Sequence, residues 1–341
     1  MISLTREFKK VKLKSLLGSK RVFKRKNVLV TGGTGLIGSH VVEELLKQQA
    51  SVTITSLTKQ NMYPDVNSVN ADLTNLESCR SVVKDRDYVI HCAAVSGGLG
   101  KHRNDPLSTL KPNLRMTANM LEAIEEYPPE VFHFTSNNSV YPDENHAMKE
   151  DEARPPITGL ASHYSQLKLL GESYCRILYE RKNIKVAITR GGNAYGKNDN
   201  YDPESSHTVP ANIRKAVERQ NPFVIWGDGT NIRDYTHASD VAKGILHAME
   251  LYAIADPINI ATGIATSVNE LVRKICIIAG HNDVAFTHDT SKPGGPKVKL
   301  MDTSKMKEKL GFTPQVSLEA GLKESVEWFA NNIYSKEMAK H

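Results

Sequence analysis

Tyr164 and Lys168 stand four residues apart in a stretch, 162–182, whose apolar spacing predicts a helix, so the two side chains share one face a turn apart. An ammonium about 4 Å from a phenol stabilises the phenolate by about 4 kcal/mol at an effective dielectric of about 20. A phenol held this way gives or takes a proton at a carbonyl or hydroxyl oxygen while a nicotinamide exchanges hydride with the attached carbon. Taken alone, the pair is an ordinary solvated helix face. A second constellation far upstream singles it out: Thr31-Gly-Gly-Thr-Gly-Leu-Ile-Gly38 sets glycines at 32, 35 and 38 between an expected strand and an expected helix.

Each glycine has a physical task there. Gly32 permits the tight turn, Gly35 lets the backbone approach a pyrophosphate, and Gly38 allows the helix to pack close to the strand. The helix N-terminus adds free N–H groups and positive potential, so Gly32, Thr34, Gly35, Leu36, Ile37 and Gly38 are the expected dinucleotide contacts. At the end of the second strand an acid would bond the ribose hydroxyls of NAD, but the chain reads Thr55-Ser-Leu-Thr-Lys59, which favours NADP over NAD. Asp72 and Leu73 stand where an adenine edge is reached, and Ala93 and Ala94 end the fourth strand with small side chains that let a cofactor lie flat. Ordinary strand ends would also look like this.

These residues need a frame, and the chain supplies one. Strands are expected at 27–31, 51–57, 87–92, 130–135 and 184–189, with helices following the glycine loop and at 76–84, 107–127 and 162–182. Alternation of this kind predicts an α/β fold, a doubly wound parallel sheet of the Rossmann type. After residue 190 the text loosens into a smaller C-terminal substrate-binding lobe, with a helix near 209–219 and a strand at 223–226. Residues 258–260 read as a strand returning to the main sheet, so the expected division is 1–26 as a basic extension, 27–190 plus that strand as the dinucleotide domain, and 191–341 mainly as the lobe.

The 341 residues, 40% hydrophobic and 24% charged, suit roughly two soluble domains and exclude a disordered or collagenous chain. No apolar run reaches the roughly 18 residues of a membrane span. Four cysteines without a C-x-x-C pair and a start without an apolar signal region imply a reduced, cytoplasmic setting, and no metal site is expected. The net charge of +6 is concentrated in residues 1–26, which carry +9 and leave the remainder at −3, so no nucleic-acid partner is expected. The extension is either a solvated tail or a weak surface contact for anionic membrane.

At the joined glycine loop and Tyr-x-x-x-Lys pair the chain resembles the extended short-chain dehydrogenase/reductase superfamily, nucleotide-sugar epimerase/reductase branch, over nearly all of residues 27–330. Ser96-Gly-Gly98, Asn193-Ala-Tyr-Gly196, Ser206-His-Thr-Val-Pro210, Trp226-Gly-Asp-Gly-Thr230 and Ser317-Leu-Glu-Ala-Gly321 make it most similar to the GDP-fucose synthases, which are 3,5-epimerase-4-reductases. The resemblance implies Tyr164 as general acid, Lys168 as its partner and ribose contact, and His207 as acid/base for epimerisation. It further implies Asn193, Arg233 and Lys299 as substrate contacts, and a homodimer built on the helices near 107–127 and 162–182 through residues such as Leu114, Met120, Leu121, Leu169 and Leu170. Such apolar stripes can equally face their own sheet. Arg233 suits a phosphate, since guanidinium binds it bidentately, although an ion pair with Asp234 is the alternative.

Two positions depart from the family pattern. Asn137 stands where a Ser or Thr is normal, and an amide orients an oxygen but cannot relay a proton. Ser139 stands where fucose synthases carry a cysteine, and a serine is a far poorer base than a thiolate. The expected activity is NAD(P)-dependent reduction or epimerisation at C4, with C3/C5 open, of a GDP-linked 4-keto sugar. The rivals are a 4-epimerase with tightly bound NAD and a catalytically weak cofactor-binding protein.

Overall fold

Val28, Leu29 and Val30 are apolar in succession, the mark of a strand covered on both faces. In the computed structural model, which describes residues 22–57, 63–97, 105–154, 162–292 and 294–339, that strand is central to a seven-stranded parallel sheet. Its members are β1 (Asn27–Thr31), β2 (Ser51–Thr55), β3 (Asn67–Val69), β4 (Tyr88–His91), β5 (Val131–Asn137), β6 (Val186–Gly191) and β7 (Ile258–Ile260). Their spatial order is β7-β6-β5-β4-β1-β2-β3. The order reverses between β1 and β4, and in such sheets ligands bind outside the carboxyl ends of the strands at that point.

The longer helices of the described residues are α1 (Leu36–Lys47), α2 (Leu76–Val83), α3 (Pro106–Glu126), α4 (Ser162–Lys182), α5 (Thr208–Val217), α6 (Ala238–Leu251), α7 (Val268–Ile278), α8 (Ser304–Leu310) and α9 (Leu318–Phe329). Side chains alternate across the sheet. Val28 and Val30 pack with Val41, Leu45, Val241 and Ile245 of α1 and α6, whereas Leu29 packs with Cys79, Met120, Ile124 and Cys175 of α2, α3 and α4 on the other face. The lobe has a third core in which α5, α7 and α9 surround Tyr195, Tyr201, Phe223 and Ile275. A small sheet beside it sets residues 232–233 between 266–267 and 298–301.

Several boundaries differ from the sequence reading. β2 stops at Thr55 and β4 at His91, while β5 runs on to Asn137 because its pairing with β6 continues to Gly191. Residues 22–26 are not part of a solvated extension: Phe23 is buried and meets the Tyr88 ring edge-on at 4.9 Å. Residues 1–21 lie outside the described residues. Of the apolar residues expected at a dimer contact, Met120 and Leu121 are buried in the chain's own core, whereas Leu114 and Leu170 are exposed. Leu107 with Leu114 and Leu170 with Ile177 form two exposed stripes on α3 and α4. Among the described residues no helix is long and apolar enough to cross a membrane.

Two enclosed histidines give the sheet a definite acid response. His91 and His133 bond the hydroxyls of Thr31 and Thr189 on neighbouring strands, each at 2.8 Å, and burial pushes both down to about 3. An unfolded histidine takes its proton near ~6.5, so between those values the unfolded chain binds the extra protons. Stability is therefore fully present above about pH 6.5 and falls as pH drops toward about 3, each histidine contributing up to about 1.4 kcal/mol per pH unit. Urea unfolding midpoints measured across this window should decline steadily; a flat profile would refute the assignment.

Candidate active site

Gly32 adopts φ +66°, and a Cβ there would lie 2.9 Å from Ala93 Cα, so the glycine loop touches the loop after β4. A Cβ on Gly38 would stand 2.2 Å from the Gly32 carbonyl oxygen, which rules out any side chain where α1 meets β1. α1 is preceded by Gly35 at its N-cap, which offers no side-chain cap, and has no acid in its first turn. Its first N–H groups thus face the carboxyl edge of the sheet with positive potential, the environment a diphosphate requires. These features fit a dinucleotide cofactor. Thr34 Oγ1 lies 3.0 Å from Ser56 Oγ, joining the loop to the residue after β2. Thr58 and Lys59 lie outside the described residues.

Thr31 Oγ1 accepts the Ala93 N–H at 3.2 Å, which fixes where the β4 loop starts. One turn of α3 then holds the loop farther along. Asn113 Oδ1 accepts the Val95 N–H at 2.9 Å, and its Nδ2 donates to the carbonyls of Val95 and Thr109, both at 2.8 Å. Ala93 is half-buried and Ala94 exposed along this segment. Asp72 is exposed, and its Oδ1 accepts the Thr74 N–H and hydroxyl, which together hold the carboxyl below its usual range. The Leu73 side chain is buried in the core.

The Lys168 ammonium lies 5.6 Å from the centre of the Tyr164 ring and 5.2 Å from that of Phe134. It donates to the Thr135 carbonyl at 2.7 Å, so the last turns of β5 and the first turns of α4 position the pair together. Two residues farther on, Asn137 Oδ1 accepts both the Ser139 N–H, at 3.0 Å, and the Ser139 hydroxyl, at 2.6 Å. Asn137 therefore caps the short turn 138–140, and its Nδ2 is the atom left to orient a ligand oxygen. Ser139 spends its proton on that amide carbonyl. Ser136, the other hydroxyl near this position, is buried.

The lobe contributes a pair of cations. Arg233 and Lys299 are register partners on adjacent parallel strands. The Arg233 guanidinium donates to the carbonyls of Ile232 and Gly294, at 2.8 and 3.1 Å. Asp234 turns away from it and accepts instead from Thr262, Gly263 and Thr236, so the alternative of an Arg233–Asp234 ion pair does not form. Among the described residues neither Arg233 nor Lys299 makes an ion pair. Burial lowers the pKa of both, and Arg233 lowers that of Lys299 further, against the partial opposing effect of Asp143. Two half-buried cations side by side call for an anion. Asn193 Nδ2 donates to the Asp234 carbonyl at 3.0 Å, tying the end of β6 to this strand. His207 occupies the N-cap position of α5 without a side-chain cap; it is exposed, and burial of its ring among neighbouring protein atoms lowers its pKa.

Other positioning residues escape a reading of the sequence. Arg190 on β6 forms a bidentate ion pair with Glu172 of α4, at 2.9 and 2.6 Å, and both side chains are 3% exposed. The same guanidinium donates to Tyr141 Oη and the Glu150 carbonyl. Tyr164, Lys168 and Glu172 repeat at i, i+4 and i+8, so the pair that could do chemistry and the residue that anchors its helix share one stripe. That continuation is the signal the sequence offers for Glu172. For Asn113 it is the pairing with Thr109, two polar residues at i and i+4 on a face otherwise built from Met116 and Met120.

Residues 28–261 match the model of the NAD dependent epimerase/dehydratase family. The GDP-L-fucose synthase of Sinorhizobium fredii is 29% identical over 90% of this chain and 96% of its own. The crystal structure of UDP-glucose 4-epimerase with UDP-glucose from Thermotoga maritima is 29% identical, covers 90% of this chain and 99% of that one, and superposes with a TM-score of 0.81. UDP-glucuronic acid 4-epimerase from Bacillus cereus, solved with UDP-glucuronic acid and NAD, is 27% identical with a TM-score of 0.79, over 89% and 99% of the two chains. The α/β sheet, the glycine loop and these matches agree. The chain belongs to the NAD-dependent epimerase/dehydratase family, the extended short-chain dehydrogenase/reductases, as an enzyme of the nucleotide-sugar type.

Proposed function

We propose that this enzyme reduces the C4 carbonyl of a 4-keto nucleotide sugar, GDP-linked, with NADP as the preferred coenzyme. The observation that carries the reading is the Lys168 ammonium beside the Tyr164 ring, anchored on the Thr135 carbonyl at the carboxyl edge of the sheet. Gly32, Gly35 and Gly38 with the N-terminus of α1 hold the coenzyme's diphosphate, and Ser56 in place of an acid leaves room for a ribose phosphate. When bound, the nicotinamide supplies hydride to the sugar carbon. Tyr164 gives its proton to the developing C4 alkoxide, and Lys168 stabilises the tyrosinate left behind. Asn137 Nδ2 orients the sugar oxygen, while Arg233 and Lys299 hold the substrate's own diphosphate.

Epimerisation at C3 and C5 is not part of this reading, because the Ser139 hydroxyl donates to Asn137 and offers no base opposite His207. A second reading is redox-neutral C4 epimerisation with retained NAD, favoured by the UDP-sugar 4-epimerases among the similar structures. Incubation with GDP-4-keto-6-deoxymannose and NADPH or NADH separates the two. Net loss of nicotinamide absorbance with a reduced GDP-sugar by mass spectrometry supports the reductase. Interconversion of UDP-hexoses by protein that purifies with NAD, without net absorbance change, supports the epimerase; neither outcome would leave a cofactor-binding protein.

The exposed stripes on α3 and α4 support a homodimer formed by a four-helix contact, in which Leu114, Leu170 and Ile177 bury their side chains. Leu170→Glu is expected to convert the dimer to monomer in sedimentation velocity without changing the thermal midpoint by more than a few degrees. A monomeric wild-type chain would remove the proposal.

A further inference from the structure

Away from the glycine loop's ligand face, three elements converge on one point. His40 lies on α1, His237 immediately precedes α6, and Glu324 lies on α9 of the C-terminal lobe. Both imidazoles are 2% exposed, and their rings meet edge to face at a centroid separation of 5.5 Å. His40 Nδ1 lies 2.8 Å from the Leu36 carbonyl oxygen, which only accepts, so this nitrogen carries the proton and Nε2 presents a lone pair. His237 Nδ1 is held by Ser239 Oγ at 2.8 Å, which frees its Nε2 for a ligand as well. Among the described residues neither Nε2 has a hydrogen-bond partner. His237 Nε2 and Glu324 Oε2 are 3.5 Å apart, and one ligand atom from each of the three residues falls within 4.8 Å of the others.

We infer that His40, His237 and Glu324 form a binding site for a divalent transition-metal ion, zinc above all. Two imidazole nitrogens and one carboxylate oxygen are a borderline-soft donor set that suits Zn²⁺ and not the oxygen-seeking Mg²⁺ or Ca²⁺. With bonds of about 2.0–2.1 Å, a tetrahedral zinc places its ligand atoms about 3.3 Å apart, so the separation of His237 and Glu324 is already close to that of a coordinated pair. Each histidine also has the hydrogen bond on its other nitrogen that orients a metal-binding ring, with a backbone carbonyl as acceptor in one case and a serine hydroxyl as partner in the other.

The surroundings suit a cation. The nearby lysines are each matched by an acid: Lys197 pairs with Glu43 at 2.9 Å and Lys243 lies 3.6 Å from Asp240. Among the described residues no lysine or arginine pairs with Glu324, which leaves its negative charge to the two imidazoles. A Cβ on Gly196 would stand 3.2 Å from His237 Nε2 and 3.4 Å from His40 Cε1, so a side chain at 196 would crowd both rings. The Glu324 side chain is 45% exposed, so the third donor reaches solvent. A bound ion joins the helix that follows the glycine loop to a helix of the lobe.

The test uses full-length protein freed of metal with a chelator and dialysed against Zn²⁺ or Co²⁺. One Zn²⁺ per chain is expected, with a rise in thermal midpoint, and Co²⁺ should give the visible absorption bands of a four-coordinate ion. Glu324→Gln, a substitution at an exposed side chain, and His40→Gln should each weaken Zn²⁺ binding by at least about 100-fold and abolish the midpoint rise. Absence of stoichiometric uptake by the folded wild-type chain overturns the inference. So does uptake that Glu324→Gln leaves unchanged, even if His40→Gln fails to fold.

Discussion

Replacing Tyr164 with Phe is expected to lower kcat by about 10²–10⁴-fold, the contribution of a positioned general acid, equivalent to roughly 3–5 kcal/mol in the barrier. The change removes one oxygen and keeps the ring that lies 5.6 Å from the Lys168 ammonium, so the packing of α4 is preserved. Coenzyme affinity should hold, because the diphosphate cradle is built from β1 and α1, not from α4. Titration with NADPH or NADH, followed by steady-state kinetics, checks both halves. A variant that retains wild-type kcat would show that another group supplies the proton and would end the proposed mechanism.

Glu172→Ala is expected to cost about 3–5 kcal/mol of folding stability, the usual price of stranding one member of a buried ion pair. Against a total of about 5–15 kcal/mol for a typical domain, this is a severe loss. The reason is geometric. Arg190 and Glu172 are both 3% exposed, so solvent screens the guanidinium poorly once the carboxylate that neutralises it is gone. Arg190 also donates to Tyr141 Oη and the Glu150 carbonyl, so the turn following Asn137 loosens with it. The double variant Glu172→Leu/Arg190→Met should recover most of the loss, since an apolar pair carries no uncompensated charge. Urea unfolding of the three proteins measures this; a single-variant loss below about 1 kcal/mol would contradict the burial argument.

The glycine loop is legible in the chain because its demands are local: a strand, a turn that tolerates no Cβ, and a helix start within eight residues. Tyr164 and Lys168 are legible for the same reason, being neighbours on one helix. Asn137 is visible as an oddity, but its engagement with Ser139 depends on how the end of β5 turns, which no spacing rule states. Asn113, Glu172 and Arg190 act across the fold, and their importance depends on which strands become adjacent. Phe23 is hidden for another reason. It stands inside a basic run whose charge dominates the local composition, although its ring packs on Tyr88. Asp234 likewise reads as a partner for its neighbour Arg233 until the loop at 262–263 arrives to claim its oxygens.

The strand that closes the large sheet beyond β6 comes from residues 258–260, and Asn259 within it donates to the Met148 and Asp302 carbonyls and accepts from Tyr141. As the nascent chain leaves the ribosome, every segment of the first half can emerge while the outer edge of β6 is still uncovered. Until Asn259 follows, that edge is open to pairing with another growing polypeptide. The amino-terminal half is therefore a poor candidate for expression alone, because it would keep that edge uncovered.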